Sequence, residues 1–235
     1  MSRKRRNKRE YHKVNDILRV RRGELKRHAQ FFEDNLVDKR VTYYFNSKGV
    51  PKRRSIYFYK RNFMHLCGIS RYHKGWKGFY RDCLDNRLKT SKALALQPKY
   101  VEPKIDALED LPKLLDKEHV GFSDGTVVHK NTNYGELVRT RQDLVALGTV
   151  EDRTTKNQVP ISLINLEASQ EGMRKATSDW SKVYNIRIED IPDNEINMYQ
   201  KERELDRENK VKRDIANYKN RQKQLQANKE KSKIE

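Results

Sequence analysis

VTYYFNSKGVPKRRSIYFYKRNFMHLCGIS, residues 41–70, holds the pattern that decides the fold. Two runs rich in β-branched and aromatic residues, 41–45 and 55–59, flank a Ser-Lys-Gly-Val-Pro turn region. That arrangement reads as a β-hairpin. Alternation places Tyr43 with Phe45 on one face, and Tyr57 with Tyr59 on one face. Directly after it, Phe63, Leu66 and Cys67 suit a short helix that Gly68 terminates. A strand therefore runs into a helix through a corner at Lys60 and Arg61.

Outward from this corner the helical signals continue. Upstream, residues 24–38 repeat Leu25, Ala29, Phe32 and Leu36 at intervals of three and four, one apolar stripe of a helix. Downstream, Trp76, Phe79, Tyr80, Cys83, Leu84 and Leu88 form a second stripe, with Arg81 and Arg87 on its wet side. Residues 104–116 suggest a third helix, with Pro112 opening a new turn. The texture then becomes β-like. Apolar runs at 120–128, 134–140, 143–150 and 158–166 are separated by turn-forming residues, and EDRTTKNQ is a hairpin loop. Helix, hairpin, helices and an antiparallel meander make an α+β fold. The expected organisation is a basic arm at 1–22, an α+β domain at 23–168, and a linker with a charged helical tail at 169–235. The arm lacks an apolar face, so it is expected to add little to stability. In the tail, Glu208 with Lys212 and Asp206 with Lys210 are helix-supporting pairs.

Charge points to the partner. The 235 residues hold 52 Lys and Arg against 33 Asp and Glu, a formal net charge of +19. Residues 1–89 hold 26 of the cations and 8 of the acids, so nearly all of the excess lies in one part of the chain. A one-sided basic surface is the electrostatic footprint of a polyanion partner, nucleic acid above all. Arg3, Lys4, Arg5, Arg6, Lys8 and Arg9 in the arm, with Arg53, Arg54, Lys60 and Arg61 around the hairpin, are the candidate phosphate contacts. Tyr57 and Tyr59 are candidate platforms for base stacking. No apolar run reaches membrane-spanning length, and MSRKRRNKRE has no signal-peptide stretch. Cys67 and Cys83 are expected as reduced thiols, which places the protein in the cytoplasm.

The chemistry concentrates at Lys60–Gly68. Two cations, an amide and an imidazole meet at a strand-to-helix corner. A ribonuclease that works without metal needs a base for the 2′-hydroxyl proton, an acid for the leaving 5′-oxygen, and cations for the phosphate. His65 suits the base or acid. Arg139 and Arg141, on one strand face, suit a phosphate clamp. No nucleotide-binding or metallohydrolase motif occurs. His65, Cys67, His73 and Cys83 match no familiar zinc spacing, so neither metal nor cofactor is expected.

The segments IYFYKRNFMHLCGI, LEDLPKLL and LVALGTVEDRTTKNQVPISLINLE resemble a phage-associated nuclease family, the barnase–EndoU–colicin–RelE-like group. The likeness rests on Phe63-Met64-His65-Leu66-Cys67-Gly68, matching the family's Phe-x-His-Leu-x-Gly, and on the hairpin element Pro160-Ile161-Ser162. It covers roughly residues 24–168. It implies helices packed on an antiparallel sheet, metal-independent RNA cleavage, and a phage or mobile-element setting. A second catalytic histidine is not evident; His119 and His129 fall outside the motif. Two other readings remain open. One is an inhibitor that occupies the nucleic-acid channel of a host defence nuclease, as an anti-CRISPR protein does. The other is a structural RNA- or ribosome-associated protein. Expected partners are nucleic acid, RNA favoured, or a nucleic-acid-containing complex; the oligomeric state is left open.

Overall fold

The computed structural model describes residues 14–89, 93–95, 98–123, 127–129, 132–134, 136–140, 145–152, 155–165 and 180–198. Between 200 and 220 it describes all but 202–203, 206–207, 210–211, 215 and 219. The chain forms two units, Met1–Ile191 and Pro192–Glu235.

The hairpin forms as its pattern requires. β1 (Lys39–Ser47) pairs antiparallel with β2 (Val50–Phe58) from Lys39–Phe58 to Ser47–Val50. Lys48 and Gly49 make the two-residue turn with φ of 52° and 80°. Positive φ at both central residues gives the turn whose twist matches that of the strands. Tyr43 and Phe45 do share the buried face. Tyr57 and Tyr59 do not share a strand face, because β2 ends at Phe58.

The sheet is a closed barrel in the order β1, β11, β5, β8, β9, β10, β2. Its members are β5 (Val120–Ser123), β8 (Glu136–Thr140), β9 (Val145–Glu151), β10 (Gln158–Asn165) and β11 (Trp180–Asp190). All pairs are antiparallel except β10 with β2, which meet in parallel at Gln158–Ile56. Closure removes the exposed edges that an open meander would leave. Two short ladders stand apart, β3 (Arg71–Tyr72) with β4 (Ala93–Leu94), and β6 (Val127–His129) with β7 (Thr132–Tyr134).

β11 lies in the stretch expected to be linker and tail, yet it fills the place between β1 and β5. Its apolar alternation is interrupted: Tyr44 faces Asn185 while Phe45 faces Val183, so Tyr184 is an extra residue. A bulge of this kind shifts the inward period by one. Ile191 behind it is buried, and its N–H bonds to the Asp38 carbonyl at 2.8 Å.

Helices α2 (Arg22–Asn35), α3 (Lys60–Leu66) and α4 (Gly75–Leu84) share one aromatic core. Phe32 of α2 lies 5.4 Å from Phe63 of α3, and Phe63 lies 5.4 Å from Tyr80 of α4. Inside the barrel Phe45 stacks on Phe122 at 4.5 Å. The third expected helix is α5 (Val101–Ala107), followed by a 3₁₀ stretch, Leu108–Leu115, around Pro112.

The arm needs one correction. Residues 14–20 are helical (α1), and Val14 and Leu18 are fully buried in the main core. Val14, Leu18, Leu25, Ala29 and Phe32 continue one stripe that the surrounding charges conceal in sequence. In the second unit the described residues of 193–220 are helical and almost all exposed, as expected for a charged, solvated helix.

Candidate active site at the strand-to-helix corner

Tyr59, extended at φ −122° and ψ 152°, ends the hairpin and precedes α3. Asn62 secures the junction. Its Oδ1 accepts from the Tyr59 N–H at 2.7 Å, and its Nδ2 donates to the Pro160 carbonyl at 3.1 Å. This amide, buried and satisfied on both sides, ties the corner to β10. The register of β10 with β9 slips between Pro160 and Ser162. Such a bulge re-aims side chains and recurs beside active sites.

The other end of the same helix meets α5. Gly68 adopts φ 75°, and a Cβ there would stand 2.9 Å from Cδ of Lys104. Glycine is thus required twice, for the left-handed turn and for the approach of the lysine stem. The Lys104 ammonium donates to Ser162 Oγ at 2.6 Å, and Ser162 donates onward to the Leu163 carbonyl at 3.3 Å. Burial pushes the Lys104 ammonium down to about 8. Asn62 to Pro160, and Gly68 to Lys104 to Ser162, therefore join three segments that are distant in sequence. His65 sits between the two ties on α3, exposed to solvent. α3 thus carries an imidazole, and the segments it touches carry an ammonium lowered by burial and a hydroxyl, groups suited to proton transfer and to holding building charge.

The remaining expected residues distribute as follows. Lys60 pairs with Glu33 at 2.9 Å. Burial alone would raise the Glu33 carboxyl, but the hydrogen bond from Lys60 contributes to holding it below its ordinary value. Arg61 pairs with Asp152 at 2.7 Å; their side chains are 18% and 2% exposed, so this cation is committed to the β9–β10 turn. Arg53 and Arg54 are exposed along β2. Tyr57 is half-buried, while Tyr59 is 5% exposed and serves packing in place of base stacking. Arg139 stands on β8, opposite Gly121 and Ala146, two strands from β10. Arg141 and the arm residues Arg3, Lys4, Arg5, Arg6, Lys8 and Arg9 lie outside the described residues. His119 bonds Asp116 at 2.7 Å, and His129 ends β6.

Sequence reading missed Lys104. Its segment shows only a lysine on a helical stripe, and nothing local reveals its burial or its hydroxyl partner. Cys67, just past the end of α3, and Cys83, on α4, are buried, and burial raises both thiols. Glu24, His28 and Glu109 bring ligand atoms within 4.8 Å of one another. However, Arg21 holds Glu24 at 2.5 Å and Arg27 lies 3.3 Å from Glu109, so cations already neutralise the carboxylates. Burial also keeps the His28 imidazole neutral-leaning.

A barrel with helices gathered at one hairpin corner, bearing imidazole, ammonium and hydroxyl in a strongly basic chain, has the features of a nuclease-like protein that acts on nucleic acid. The family model described as phage-Barnase-EndoU-ColicinE5/D-RelE like nuclease 4 matches residues 24–205, and the chain belongs to that family. The match runs past β10 and includes β11. No curated protein and no solved structure matches the chain.

Proposed function

We propose that this protein is a metal-independent endoribonuclease of a phage or mobile element that works in the cytoplasm. The observation that carries the reading is the join of the Phe63–Gly68 helix to Pro160 and, through Lys104, to Ser162. In this reading His65 takes the proton of a ribose 2′-hydroxyl. The 2′-oxygen forms a bond to the adjacent phosphorus, the bond from phosphorus to the 5′-oxygen breaks, and that oxygen leaves with a proton taken from solvent water. The Lys104 ammonium holds a non-bridging oxygen as negative charge builds. Ser162 fixes the ammonium's direction. Arg139 on β8 and, by its place in the sequence, Arg141 contribute cations, and Arg53 and Arg54 extend the basic surface.

His65, Lys104 and Ser162 are groups for proton transfer and charge stabilisation, and the carboxylates described at the corner, Glu33 and Asp152, are paired with Lys60 and Arg61, which supports the metal-free route. The excess of cations in residues 1–89 supports a phosphate-rich substrate. The test is incubation of the full chain with bacterial RNA in EDTA. RNA is cut to products with 2′,3′-cyclic phosphate ends, and DNA, lacking the nucleophile, resists. RNA that is bound but never cut would return the protein to the inhibitor reading.

A further inference from the structure

The stretch 71–89 holds six Lys and Arg residues against two Asp, and it folds around an open cleft of about 420 Å³ lined by Lys74, Arg81, Asp82, Arg87 and Lys89. Asp82 is its buried floor, 2% exposed. It accepts from the Tyr72 hydroxyl at 2.8 Å and from Lys74 Nζ at 3.0 and 2.9 Å. Burial would raise this carboxyl, but the bonds from Lys74 and Tyr72 outweigh it and hold it low. The Tyr72 hydroxyl also accepts from the Lys89 N–H at 3.0 Å, fixing the backbone of the opposite rim.

Gly78 keeps Lys74 in place. A Cβ there would come within 2.0 Å of Lys74 Cβ, so only glycine lets that side chain fold back over α4 toward Asp82. Lys74 thus neutralises Asp82, and Arg87 pairs with Asp85. Arg81 and Lys89, both exposed, make no ion pair among the described residues and leave the rim with uncompensated positive charge.

We infer that this cleft is a second phosphate subsite, taking the backbone of a nucleic-acid strand through Arg81 and Lys89 with Arg87 beside them. The inference rests on the reading of the protein as nucleic-acid-acting, and it adds a site built on β3, α4 and the segment after it rather than on the α3–β10 corner. The lining is charged and carries no open aromatic face, so it recognises phosphate and not base. Contacts of that kind position a strand without reading its sequence.

The test uses the full chain with His65→Ala, so that RNA stays intact, and compares it with the same chain carrying Arg81→Gln and Lys89→Gln. Affinity for two single-stranded RNA 20-mers of unrelated sequence is measured across a salt series. The double replacement weakens both by roughly tenfold and lowers the salt slope by about 1 to 2, while Arg81→Lys with Lys89→Arg retains binding. Unchanged affinity and slope, with the parent still binding RNA, would overturn the cleft alone. A loss confined to one sequence, or an equal loss in the charge-conserving variant, would overturn it as well. Tighter binding of inorganic phosphate by the parent, with RNA affinity alike in both proteins, would make the cleft a small-anion site. A parent that binds no RNA would remove both the cleft and the functional reading on which it rests.

Discussion

Lys104 stands in surroundings unlike those of an ordinary lysine. An ordinary lysine titrates near 10.5; burial brings this one to about 8. The folded protein therefore binds fewer protons than the unfolded chain between those two values. Stability from this group rises with pH across that window and is lost as pH falls through about 8. Lys104→Met removes the buried charge. The variant melts higher than the parent at pH 6, and the difference shrinks toward pH 10; thermal melts across pH check this. The same substitution removes cleavage, and in the parent cleavage declines as pH rises through about 8 and the ammonium is lost. A second residue-scale expectation concerns His65. Its replacement by Ala lowers the cleavage rate by ~100-fold or more, as loss of a general acid or base does. RNA affinity stays within a factor of a few, as paired cleavage and binding assays would show.

At the scale of elements, the two ends of the barrel domain carry weight that sequence alone did not reveal. Leu18 is fully buried on α1. Leu18→Ala costs about 2–5 kcal/mol, and at ~2–4 °C per kcal/mol for a chain of this size the melt falls by roughly 4–20 °C. An unchanged melt would mean that α1 does not pack. A chain ending at 191 folds cooperatively, whereas one ending at 168 lacks β11 and leaves β1 and β5 with open edges; proteolysis and circular dichroism separate the two. The hairpin, α2, α3 and α4 were legible because their apolar periods are uninterrupted and their stop signals, Gly49 and Gly68, are local. β11 was not, since the extra residue Tyr184 breaks its alternation. α1 was not, since Val14 and Leu18 sit among cations that dominate the pattern. His65 could be found from its corner, but Lys104 and Ser162 meet only through tertiary packing, 58 residues apart.

The whole molecule combines a basic chain, a closed barrel and a corner where an imidazole and a buried ammonium stand on segments tied together by Asn62, Gly68 and Ser162. The function proposed for it requires that this corner cleave RNA by itself. The most direct measurement is the fate of a 5′-labelled RNA of defined sequence incubated with the full chain in EDTA, beside the His65→Ala and Lys104→Met variants. The account predicts discrete fragments ending in 2′,3′-cyclic phosphate from the parent and intact RNA from both variants. Intact RNA from the parent, or fragments that persist unchanged in both variants, would contradict it.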